Sequence, residues 1–139
     1  MPPKRRVECF FDGACQGNQF EAKRPMRVAY VVGMEEHAHA IPDLPSPRGP
    51  LRSNNIAEYQ ALILLLHRLH ELQKQVGGTE SYVIHGDSQL VIRQMLGTYR
   101  VKEPHLAGLH AAAHKLSSDL PVSFLWIPRD KNRAGFLLE

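Results

Sequence analysis

Only two cysteines occur in this chain, Cys9 and Cys15, and both lie on or beside one extended segment. So short a stretch cannot double back to bridge them. That excludes a disulfide scaffold and leaves two free thiols suited to a reducing compartment. Long apolar runs are missing too: the longest, Ala61 to Leu66, falls far short of the roughly 18 residues that cross a bilayer. Met1-Pro2-Pro3-Lys4-Arg5-Arg6 passes directly into a strand-like segment, without the apolar stretch and small-residue cleavage site of a secretory signal. A soluble, cytoplasmic protein with no membrane partner is expected. Charge of one sign is also scarce. Seventeen basic against fourteen acidic residues leave a net charge of +3, a weak pull toward nucleic acid that strengthens if several acids are held in a metal site. Gly13 to Gly17 lacks the following lysine and Ser/Thr pair of a phosphate-binding loop. There is no internal repeat and no low-complexity segment.

What is present suffices for one α/β or α+β domain. With 139 residues and a 43% hydrophobic fraction the chain can bury a real core. The expected division is a basic arm over residues 1–6 and a single domain over 7–139. Val7 to Ala14 alternates, with Val7, Cys9 and Phe11 on one face and Phe10 and Asp12 on the other, so bulk on both faces predicts a central strand. Arg27 to Met34 and, more weakly, His37 to Ile41 read as further strands. The prolines between Pro42 and Pro50 predict a loop. Ser53, Asn54 or Asn55 can then cap a helix whose Tyr59, Leu62, Ile63, Leu66, Leu69 and Leu72 recur at helical spacing before Gly77-Gly78. Ser81 to Asp87 predicts a strand, Gln89 to Met95 a short helix, Pro104 to about Ser117 another helix, and Pro121 to Ile127 the last strand. The tail, Asn132 to Glu139, has room for one helical turn. An antiparallel start followed by helical crossovers predicts parallel pairing for the later strands.

Three acids stand at the ends of these elements. Asp12 follows two phenylalanines at a strand end, where a turn-initiating aspartate would serve equally. Glu58 is three residues after Asn55, the spacing of a capping box. Asp87 closes a strand and opens a helix, so it could be a simple N-cap. Each alone has an ordinary reading. Together they can face one region at strand C-termini, where α/β proteins place their ligands. Three acids meeting there would suit a site for two divalent ions. The paired histidines, His67 with His70 and His110 with His114, lack the further ligands that zinc needs. Trp126 reads as core, and Lys4-Arg5-Arg6 as a solvated arm with phosphate contact as its second reading.

In this order the segments resemble type 1 ribonuclease H. Asp12-Gly13 is followed by Gly17-Asn18, the Asn54-Asn55 pair precedes helical Glu58, Asp87-Ser88-Gln89 follows a strand, and a short loop ends at Asn132. The resemblance covers Val7 to about Ala134, and the motif set is specific where single pieces are not. It implies a ribonuclease H-like fold, a five-stranded mixed sheet flanked by helices. It implies an endoribonuclease acting on the RNA strand of RNA/DNA hybrids with two Mg2+ or Mn2+ ions held by Asp12, Glu58 and Asp87. Asn18, Asn54, Asn55 and Gln89, with Gly13 and Ser88 in the same motifs, match positions that contact the hybrid. Amides suit that work because they donate to and accept from 2′-hydroxyls and base edges. Double-stranded RNA is a further candidate partner, and a monomer is expected.

The chain departs from the family pattern in three places. Tyr99 to Pro104 runs straight into the next helix, without the basic helical protrusion of larger members. Binding is then expected to be modest and salt-sensitive, with Lys4, Arg5, Arg6, Arg100 and Lys102 as substitutes. Arg129 stands where other members have a flexible histidine; an arginine binds phosphate but cannot act as a base. The family's fourth acid, in an Ala-Asp pair, has no counterpart in Asn132-Arg133-Ala134-Gly135-Phe136. Asn132 is the expected substitute ligand, with Glu139 second. The catalytic set is then Asp12, Glu58, Asp87, Asn132 and Arg129. The competing expectation is a hybrid-binding protein whose catalysis is weakened or lost, and a more distant one is a 3′–5′ exonuclease on the same fold.

Overall fold

The computed structural model describes residues 4–16 and 24–139, so Gly17, Asn18 and the first three residues of the expected arm lie outside it. A single five-stranded sheet has the order β3-β2-β1-β4-β5. Strand β1 (Arg5–Ala14) is central, as its two apolar faces require. It pairs antiparallel with β2 (Met26–Val32), from Cys9↔Val32 to Ala14↔Arg27. It pairs parallel with β4 (Glu80–Gly86), from Arg5↔Glu80 to Phe10↔His85. Strand β3 (Glu35–Ile41) is antiparallel to β2, and β5 (Val122–Trp126) is parallel to β4. The mixed sheet is the one expected. Strand bounds shift by up to two residues: β1 starts at Arg5 rather than Val7, because Arg5 and Arg6 find strand partners in Glu80 and Ser81, β2 ends at Val32 rather than Met34, and β3 starts at Glu35 rather than His37. Two residues of the expected arm are therefore sheet.

Helix α1 (Asn54–Val76) begins at Ser53 and ends at Gly77, whose φ of 66° is the left-handed conformation that lets its N–H return to Gln73. Its Leu62, Leu65, Leu66 and Leu69 are fully buried on the sheet face that carries Cys9, Phe11 and Val28. Each such side chain contributes about 1.5–3 kcal/mol. Helix α2 (Gln89–Met95) and helix α3 (Pro104–Ser118, with Pro104 in its first turn) complete that layer. Residues 96–103 join them with no helix between, so there is no protrusion. A short 3-10 turn, Arg129–Lys131, leads to α4 (Arg133–Phe136), a single turn on the opposite sheet face against Ala29 and Val31. Among the described residues no helix is long and apolar enough to cross a membrane.

One contact sets the spacing of these layers. A Cβ added at Gly13 would lie 2.2 Å from the Ala57 carbonyl carbon and 2.4 Å from the Glu58 nitrogen. Helix α1 thus rests directly on the β1 backbone at the residue after Asp12, with Glu58 one residue beyond Ala57. Gly13→Ala obstructs backbone rather than a movable side chain and is expected to lower stability by about 3 kcal/mol or more, the upper end for overpacked cores. At Gly108 in α3 an added Cβ would meet nothing within 4 Å, so Gly108→Ala is expected to gain about 0.5–1 kcal/mol from helix propensity. Urea titration of the two variants checks this; equal midpoints would contradict the close approach.

Candidate active site

The ordinary duties open to the acids are performed by other residues. The Ser53 hydroxyl accepts from the Ile56 N–H at 3.0 Å and caps α1, so Glu58 is no capping-box partner. The Ser88 hydroxyl accepts from the Val91 N–H at 3.2 Å and caps α2, so Asp87 is not its N-cap. Asp12 on β1, Glu58 on α1 and Asp87 after β4 each offer a carboxylate oxygen, and these lie within 4.8 Å of one another. Among the described residues no other group of three His, Cys, Asp or Glu side chains is gathered in this way. Three of the histidines are engaged elsewhere: His70 meets the Leu116 carbonyl, His110 the Gln94 carbonyl and His37 the Glu35 carboxylate.

Asp12 is fully buried and neither of its oxygens has a hydrogen-bond partner; Glu58 Oε2 has none either. Burial pushes the Glu58 carboxyl well above the usual range. The Asp12 carboxyl beside it and the charges of Asp12 and Asp87 push the same way. Burial also raises Asp12; the neighbouring Glu58 carboxyl and the Arg129 charge pull it down, and Asp87 raises it further. Buried carboxylates without donors are strongly unfavourable unless a cation compensates them. Oxygen donors at this spacing are what hard divalent ions such as Mg2+ take. The residues present therefore fit a metal centre.

Asn132 is placed differently from its expected role as a ligand. Fully buried, it donates through Nδ2 to the Phe11 carbonyl at 2.9 Å and to Asp87 Oδ2 at 2.9 Å, while its Oδ1 accepts from the Ala134 N–H at 3.1 Å and caps α4. Reversing the amide would set its oxygen against two acceptors. The oxygen thus faces α4, and Asn132 orients Asp87 from behind. Nor does Glu139, an exposed terminal side chain, belong to the gathered acids. Gly135 occupies the space over Asp12, where a Cβ would lie 3.3 Å from Oδ2. Trp126, expected in the core, is 41% exposed, and its indole N–H donates to the Asp87 carbonyl at 3.0 Å.

A groove of about 380 Å3 adjoins the acids. Gly13, Asn54, Asn55 and Ser88 line it with Glu58 and Arg129. Gln89 is exposed at the start of α2 and is not part of this lining, and Asn18 lies outside the described residues. Three groove residues escaped the sequence reading: Ala14, Cys15, whose N–H donates to Asn54 Oδ1 at 2.8 Å, and Gln16 beside it. The Asn132 role had a legible signal, an asparagine just before a possible final helical turn, which is an N-cap pattern.

Both raised carboxyls hold protons in the fold that the unfolded chain releases. Folding is therefore penalised as pH rises from the ordinary carboxylate range through the raised values, and fully so above them. Without metal, Glu58→Gln is expected to be more stable than the parent by about 1–2 kcal/mol at pH 8, with the gap closing toward pH 4. Excess Mn2+ should stabilise the parent and not the variant. Thermal melts across pH, with chelator and with Mn2+, check both. Asn132→Asp removes two donors and is expected to lose about 2–4 kcal/mol, as unsatisfied buried acceptors do, rather than to strengthen metal binding.

The family model described as "Reverse transcriptase-like" matches residues 35–138. A bifunctional protein of Mycobacterium tuberculosis is 34% identical over 122 residues, 87% of this chain and 31% of that protein. Ribonuclease HI of Halobacterium salinarum is 30% identical over 128 residues, 91% of this chain and 59% of that protein. The chain thus spans under a third of the mycobacterial relative's length and little more than half of the archaeal one's. Among solved structures, the RNase H1 of Halobacterium salinarum superposes with a TM-score of 0.75 at 30% identity, covering 96% of this chain and 93% of that one. LC11-RNase H1 in complex with an RNA/DNA hybrid superposes at 0.70 with 29% identity, covering 91% of this chain and 88% of that one. With its mixed sheet, its three gathered acids and no protrusion between α2 and α3, the chain belongs to the type 1 ribonuclease H family, in its compact form.

Proposed function

We propose that this domain is a metal-dependent endoribonuclease that hydrolyses the RNA strand of RNA/DNA hybrids. The observation that carries this reading is the meeting of Asp12, Glu58 and Asp87, with Asp12 buried and unpartnered, beside a groove lined by amides. Asp12, Glu58 and Asp87 would hold two Mg2+ or Mn2+ ions, which when bound activate water and neutralise charge at the leaving oxygen. Asn54 and Asn55 present neutral amides that suit 2′-hydroxyls and base edges, which separates an RNA-containing duplex from DNA. Asn54 is fixed for this by the Cys15 N–H. Arg129, exposed on the 3-10 turn at the groove, suits a phosphate and takes no proton. Asn132 and Trp126 hold Asp87 in place through its carboxylate and its carbonyl. Two free thiols, one buried and one half-buried, fit a reducing, cytoplasmic setting, and we take the domain to act as a monomer.

One observation favours a second reading, a hybrid-binding protein with weak or lost catalysis. The gathered group has three acids, and the amide expected to complete it turns its nitrogen toward Asp87. A set with one less negative charge holds divalent ions less firmly, and Mn2+ tolerates irregular oxygen and nitrogen sites at least as well as Mg2+.

Labelled RNA/DNA hybrid, double-stranded RNA and double-stranded DNA, incubated with Mg2+, Mn2+ or chelator, test the proposal. Cutting of RNA only when paired with DNA is expected, faster with Mn2+ and absent with chelator. Asp12→Asn should abolish cutting and leave hybrid binding measurable by anisotropy. Cleavage of the DNA strand would overturn the assignment, and binding without cutting in either metal would establish the second reading.

A further inference from the structure

Arg52 stands just before the Ser53 cap and two residues from Asn54. A basic side chain there invites reading as a phosphate contact. The structure turns it inward instead, with its side chain only 19% exposed. Its Nε–H donates to Cys15 Sγ at 3.4 Å, and its NH2 group donates to the Gln16 carbonyl at 3.1 Å and to the Arg24 carbonyl. Its remaining nitrogen lies 3.7 Å from Asp43 Oδ1. One guanidinium therefore joins the exit of β1, the residues just before β2, the proline-rich loop and the approach to α1. Cys15 and Gln16 line the active-site groove, and the Cys15 N–H is the donor that fixes Asn54.

We propose that Arg52 is a positioning residue: it holds the end of β1 and the approach to β2 against the N-terminus of α1 and so sets the amide wall that receives the hybrid. The substrate part of this inference rests on the hybrid-cutting function proposed above. The chemistry requires arginine rather than positive charge as such. Four acceptors on three segments are met by a planar fork of five donors, whereas a lysine offers three donors at one point. Carbonyls and a thiol engage the donors, so little of the group is left for a phosphate. The acids and Asn132 are untouched by it, so its loss should act on binding and leave turnover alone.

The test uses Arg52→Lys, which keeps the charge and loses the fork, and Arg52→Gln, which loses both. Hybrid affinity is measured by anisotropy in chelator, KM and kcat in Mn2+, the salt dependence of affinity, and amide exchange at Cys15. Both variants are expected to weaken hybrid binding and raise KM about tenfold, the equivalent of one hydrogen bond to a charged group. The kcat should stay within about twofold, on the view that only uniform binding is lost. The salt slope should not change, and Cys15 amide exchange should accelerate. If Arg52→Gln does not fold, Arg52→Lys carries the comparison alone. Parental affinity in Arg52→Lys overturns the proposal, as does a salt slope reduced by about one in Arg52→Gln, the mark of a phosphate contact. Unchanged Cys15 exchange overturns it without reference to substrate. If the parent neither binds nor cuts hybrid, the proposed function fails, while Cys15 exchange still decides whether the clamp exists.

Discussion

The site depends on one place where two backbones touch. At Gly13 the central strand offers no side chain, and α1 settles on it through Ala57. Asp12 and Glu58 flank that contact, one on each element. Their meeting is a consequence of main-chain geometry, and the side chains did not have to attract one another to achieve it. A methyl group at this point would lift the helix and separate the acids. Gly86 plays a related part on β4, where a Cβ would lie 2.6 Å from the Phe11 ring. The residue that precedes Asp87 is therefore also bare, and the Phe11 ring can lie across the β4 strand end.

A fold that forces acids together must keep them from escaping. Here the restraint comes from neutral groups. Asn132 commits both hydrogens of its amide, one to the Phe11 carbonyl and one to Asp87, and Trp126 holds the Asp87 carbonyl. These donors steady a carboxylate without cancelling its charge, so the attraction for a cation survives. An arginine in the same place would have formed an ion pair and filled the site. The positive charge that does approach, Arg129, acts on Asp12 from the exposed side of the groove. Capping is delegated in the same spirit. Ser53 and Ser88 satisfy the helix starts, and the acids beside them remain free.

Much of this was legible in the sequence, because it follows from local rules. Alternation on both faces marked β1 as central, a proline marked the first turn of α3, and the apolar period placed α1. The three acids were legible as a group because each lies at the end of such an element. What was not legible is set by partners far away in the chain. The asparagine before the last turn hints at a cap, but that its amide also reaches back to hold Asp87 is decided by Phe11, 121 residues earlier, and by Asp87 itself. Arg52 looks like a surface charge until Cys15, Gln16 and Arg24 surround it. The start of β1 moved to Arg5 because Glu80 and Ser81 offer a ladder that the basic residues themselves do not announce. Trp126 looked apolar enough for a core, but β5 is an outer strand of the sheet and leaves it half open.

The order of strands has a consequence in time. Strand β1 is made well before β4, yet one of its two ladders is with that strand, beginning at Arg5↔Glu80. At synthesis rates of about 5–20 residues per second, the central strand waits several seconds after its own emergence before that partner exists. Until then it can form only the hairpin with β2, and its other side is an open edge of the kind that recruits foreign strands. Pairings this distant in sequence also close slowly. Asp87 arrives with β4 and Asn132 later still, so the newborn chain carries its acids apart and assembles their charge last.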